Sequence, residues 1–149
     1  MRFITRVLLP LSLFAIIACS AQQAEEVAAP PAQDVAPPSE LALLMRHMAI
    51  HADSVKKGLA RGDKELPPFP DGVKTMLTTT PTQGMHIDPI TFPTFGKDYQ
   101  DKVAALYKAA RKDRTMAYNA LVQSCANCHG THCPGPLMRI KKMYVKVDG

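Results

Sequence analysis

No apolar run in this chain reaches the roughly 20 residues that a membrane-spanning helix requires. The longest, Val7–Ala18, is broken by Pro10 and Ser12. No stretch reads as a βαβ unit, which sets aside a thioredoxin-like redox pair. No internal repeat is present, and the long connection Thr80–Thr94 shows no strand pairing. Proline is missing from residues 39–66, 71–80, 94–133 and 137–149. Those four windows are where helices can run uninterrupted. Cysteine is scarce: Cys19, Cys125, Cys128 and Cys133 are the only four in 149 residues. Each therefore has to be explained on its own.

The N-terminus carries Arg2 and Arg6 ahead of the short apolar run. That layout predicts a secretory signal peptide over residues 1–18. Ile16-Ile17-Ala18-Cys19 resembles the lipobox of bacterial lipoproteins. The resemblance implies cleavage before Cys19 and lipidation of its thiol. Ordinary cleavage nearby, for example after Ala21, is the alternative. Residues 19–38 are rich in Ala, Gln and Pro and read as a flexible tether that buries no core. Residues 39–149 are enough for one domain.

Within that domain stands Cys125-Ala126-Asn127-Cys128-His129. C-x-x-C-H is the attachment signature of c-type haem. The spacing has a chemical reason. Two thiols each add to one vinyl group of the porphyrin. On a helix, Cys125, Cys128 and His129 share one face, so the imidazole can reach the iron as its proximal ligand. An exported chain is also the compartment where bacteria attach haem to this motif. The rival reading is structural zinc held by Cys125, Cys128, His132 and Cys133. Cys133 is left over in either an exported haem protein or a lipoprotein. It is expected to be buried, with a thiol near the iron or an intermolecular disulfide as alternatives.

Apolar periodicity predicts four helical segments. The first covers residues 39–61, capped by Ser39 and ended by Gly58 and Gly62, with Leu41, Leu44, Met45, Met48, Ala52, Val55 and Leu59 on its inner stripe. A short second helix is expected near 71–79 and a third over 95–112. The fourth starts near Asp113, carries the motif and is stopped by Gly130, Pro134 and Pro136. A last helical turn or two is expected over 137–145. This is an all-α pattern.

With the motif on the last long helix, and with Leu-Met-Arg-His-Met at 44–48 and Val-Lys-Lys-Gly at 55–58, the chain resembles the cytochrome c′ and cytochrome c556 family. The resemblance covers about residues 40–130. It implies a four-helix bundle with one covalent haem c on the last long helix. Typical members end shortly after the haem histidine, whereas this chain continues from Thr131 to Gly149. The family also frames the distal side of the iron. A methionine from the first helix gives six-coordinate iron, and an apolar site gives five-coordinate iron that binds small gases. Met45 is the first candidate, followed by Met48 and then His51. His47 is expected to face water and His86 to be a solvated loop histidine.

The whole chain carries a net charge of +5. From Glu40 onward there are 16 Lys and Arg against 10 Asp and Glu, a net +6, concentrated at Arg139, Lys141, Lys142 and Lys146. This balance suits a redox partner with an acidic docking face. Nucleic acid is not an expected partner outside the cytoplasm, and a homodimer stays open. The leading expectation is an electron carrier, not an enzyme. It would be lipid-anchored to a bacterial membrane and face the periplasm. A haem protein binding nitric oxide or carbon monoxide and a structural zinc module are the alternatives.

Overall fold

A computed structural model describes residues 37–69 and 71–147. The expected signal peptide 1–18, the lipidation residue Cys19 and most of the tether 19–38 lie outside the described residues. Among the described residues helices alternate with turns and no strand forms, so the fold is all-α.

Helix α1 spans Glu40–Arg61. Ser39 caps it, its Oγ accepting from the Ala42 amide at 3.1 Å, which satisfies one of the unpaired donors of the first turn. At the other end Gly62 has φ +71°, the left-handed region that glycine enters without a Cβ penalty. The Asp63 amide then returns to the Gly58 carbonyl at 2.9 Å. The buried stripe is Leu41, Leu44, Met48, His51, Ala52, Val55 and Gly58. Met45 and Leu59 are half-buried at its edges, and His51 lies within it.

The expected helix near 71–79 is only a 3₁₀ turn, Asp71–Thr75, tied down by the buried Val73. Helix α2 spans Thr91–Lys108, four residues earlier at each end than the periodicity predicts. Its start is set by Asp88, whose Oδ1 accepts from the Ile90 amide (2.9 Å), the Thr91 amide (2.7 Å) and the Thr91 hydroxyl (2.9 Å). These bonds, the Thr91 amide first, hold the Asp88 carboxyl below its usual range. Pro93 then sits in the first turn, where a missing N–H costs nothing. Gly96 in the same helix is a packing requirement, since a Cβ there would overlap Leu77 Cδ2. The helix ends early because Ala109 is extended and the chain turns through Arg111–Asp113. Arg111 donates to the Gly62 carbonyl and Arg114 to that of Lys64, pinning this turn against the end of α1.

Helix α3 spans Arg114–His132, running through Gly130 and ending just before Pro134. The Cys133 amide closes it on the His129 carbonyl at 3.3 Å. A five-residue helix, α4 (Leu137–Lys141), follows. Helix α3 is the hub: α2 runs against it, and α1 and α4 also pack on it. Leu106, Tyr118, Leu121 and Val122 are fully buried in the seam. The architecture is therefore three long helices with a short fourth.

The segment after α4 is held firmly. The Tyr118 hydroxyl donates to the Met143 carbonyl at 3.2 Å. The Asn119 amide side chain bonds both polar groups of the Val145 backbone, at 2.8 and 2.9 Å. Lys56 donates to the Lys142 carbonyl at 2.6 Å, and Arg139 pairs with Asp53 at 3.0 Å.

Candidate cofactor site

A cavity of about 320 Å³ lies where α1, α3, the 80–90 connection and α4 meet. Helix α3 supplies one wall with Cys125, Cys128, His129 and His132. These positions fall at i, i+3, i+4 and i+7, so one helix face presents all four. Opposite them α1 brings Met45 and Met48, the connection brings Met85, and the C-terminal segment brings Ile140 and Met143. A smaller void of about 30 Å³, lined in part by Phe95 and Tyr99, shares Met45, Met48, Cys125, Cys128 and His129. The motif thus lines both spaces.

His129 is oriented by its own helix end. Its Nδ1 lies 2.9 Å from the Cys133 carbonyl. A carbonyl can only accept, so Nδ1 carries the proton. In the neutral ring Nε2 then holds the free lone pair, the arrangement of a metal-binding histidine supported by a second-shell acceptor. Burial pushes the Cys125 thiol up to about 12, with Cys128 adding to the effect. Burial also raises Cys128, with Cys133 as the second cause. Both side chains are therefore neutral thiols against an apolar wall. Burial likewise raises the Tyr99 phenol.

His132 is committed elsewhere. Thr91 donates its hydroxyl to Asp88 and accepts from His132 Nε2 at 3.2 Å. The ring packs edge-on against Phe92 and Phe95, centroids 5.8 Å away in each case. Among the described residues no three His, Cys, Asp or Glu side chains converge as a metal cage. At 1.5 Å of rise per residue, Cys125 and His132 are separated by about 10 Å along α3.

The other expected candidates divide. Met45 and Met48 face the motif across the cavity. His51 does not join them. Its Nε2 donates to the Tyr107 hydroxyl at 2.7 Å, which in turn donates to the Pro67 carbonyl, and Phe69 packs edge-on against the ring at 5.3 Å. His47 and His86 are exposed. Cys133 lines the cavity as a half-buried free thiol. Met85, Ile140 and Met143 are lining residues that periodicity did not single out. The spacing of Leu137, Ile140 and Met143 carried a trace of it, since residues three apart share a helix face.

The residues fit a haem. The volume falls within the range of about 300–1,000 Å³ for small-molecule and cofactor sites. The wall is mainly apolar, and two thiols and an imidazole with a free Nε2 share it. No family model, curated protein or solved structure matches the chain.

Proposed function

We propose that this chain is a c-type cytochrome, an electron carrier with one haem bound through Cys125 and Cys128 and with His129 as proximal ligand. The observation that carries the reading is the His129 Nδ1 bond to the Cys133 carbonyl. It leaves Nε2 free on the same cavity wall as both thiols. The resemblance to the cytochrome c′ and c556 family supports a related bundle, with the 3₁₀ turn at Asp71–Thr75 in place of a long second helix. The bound iron supplies one-electron exchange between its ferric and ferrous states. The protein's own residues orient the ligand, exclude water and offer a thioether.

Met45 is the proposed distal ligand. It is half-buried at the edge of the core, whereas Met48 is 7% exposed and fills it. A side chain already spent on packing has less freedom to reach an iron. Export and lipidation at Cys19 would hold the domain at a bacterial membrane, facing the periplasm. The basic C-terminal segment suits a redox partner with an acidic face.

A pyridine haemochrome assay and the mass of the denatured protein, made in a host competent for haem c, test the reading. One haem per chain is expected, and none in Cys125→Ser/Cys128→Ser. Free thiols at both positions in native protein would sink it. A high-spin protein whose ferrous form binds carbon monoxide at once would move the function from electron carrier to gas binding.

A further inference from the structure

The cavity wall is not wholly apolar. Two of its lining residues carry a formal charge, Arg46 from α1 and Arg139 from α4, and no carboxylate lines it with them. Both side chains are exposed. Four ion pairs form among the described residues, and Arg46 belongs to none of them. Arg139 gives Nη2 to Asp53 Oδ2 at 3.0 Å. A guanidinium has five N–H donors in a planar fork, so most of its bonding capacity is unspent. One cation without an ion pair and one only partly spent on Asp53 thus border an apolar hollow. The ligand complementary to that wall has an apolar body and an anionic edge. Guanidinium is the side chain best matched to carboxylate, often through two parallel bonds.

We propose that Arg46 and Arg139 clamp the two propionate carboxylates of the bound porphyrin. The inference rests on the haem reading and adds an orientation to it. Helix α3 takes the vinyl edge through its thiols, while α1 and α4 take the carboxylate edge. Asp53 touches no ligand and shares Arg139 with it through their ion pair. Arg139 also gives the C-terminal segment a binding role beyond closing the core.

The test uses the full-length holoprotein at matched haem content. Arg46→Gln and Arg139→Gln should each shift the propionate-bending band in the low-frequency resonance Raman spectrum. Each should also lower the midpoint potential at neutral pH, because a cation near the iron favours the ferrous state. Arg46→Lys and Arg139→Lys should keep the potential while losing the bidentate band position. Asp53→Asn separates binding from folding. It breaks the same ion pair but removes a negative charge, so the potential should rise. If Asp53→Asn instead lowers the potential as Arg139→Gln does, Arg139 acts only through the seating of α4 and its half of the clamp is wrong. Arg46→Gln has no ion pair to lose and reads the other half directly. Unchanged band and potential in both Gln proteins would overturn the clamp and leave the haem reading standing. Wild-type protein without covalent haem overturns both, and is recognised before any substitution is made.

Discussion

Helix α1 carries ligand-type side chains on two sides, and they are treated in opposite ways. On the side of Pro67, His51 is 6% exposed, bonded through Nε2 to Tyr107 and boxed by Phe69. Its Nε2 is absorbed into structure, while Nδ1 is buried against packed side chains without a partner. On the side of the motif, Met45 borders open space and Arg46 has no ion pair among the described residues. The candidate site is distinguished by unspent bonding capacity that borders a cavity. Residue type alone would have ranked His51 beside the methionines.

The sharpest break in this contrast is between the two methionines. Met48→Ala should cost about 2–5 kcal/mol in denaturant unfolding, the range for emptying a buried methionine site. It should leave the methionine-to-ferric-iron charge-transfer band in place. Met45→Ala should abolish that band, open the iron to carbon monoxide and cost less stability. The reverse assignment of band and stability would exchange the roles of the two residues.

On the packed side the effect is smaller and purely structural. Tyr107→Phe strands the buried His51 N–H and the Pro67 carbonyl. It should destabilise the domain by about 1–3 kcal/mol and leave the haem spectrum unaltered. A spectral change would show that His51 communicates with the cavity after all.

The smallest effect is in pH. Burial holds the His51 imidazole below its ordinary value of 6.5. The unfolded chain therefore takes up that proton first as pH falls. Stability should be level just above pH 6.5 and decline below it until the folded-state value is reached. His51→Gln should flatten that part of the profile. A wild-type profile with no decline between about pH 6.5 and 5 would remove the desolvation argument.

Local features were legible and tertiary ones were not. The alignment of Cys125, Cys128 and His129 follows from helical geometry, and α1 matches its expected bounds from cap to cap. The start of α2 lies ahead of the expected one because Pro93 reads as a boundary, although a first turn accepts it. The short helix at 71–79 reduces to a 3₁₀ turn seated by Val73, with Met76 buried just beyond it. The burial of His51 depends on Pro67 and Phe69 folding back over it, which no periodicity in α1 can report. Met85 and Met143 reach the cavity through the course of a loop and the docking of the C-terminal segment. Neither course is written in a repeating pattern.

That docked segment has a consequence in time. Ile140 and Met143 wall the cavity, and the bonds from Tyr118 and Asn119 that seat them engage residues 143–145. All of these positions follow the C-x-x-C-H motif in the chain. On the proposed reading, the emerging chain presents the motif before residues 137–145 are there to wall its pocket. Once residues 137–145 dock, the same thiols are enclosed and neutral. Their nucleophilic form is then scarce at physiological pH. On the proposed reading, attachment of the haem to Cys125 and Cys128 belongs to the interval before closure. On that reading the last turn of the fold is a latch, closing after the cofactor is in place.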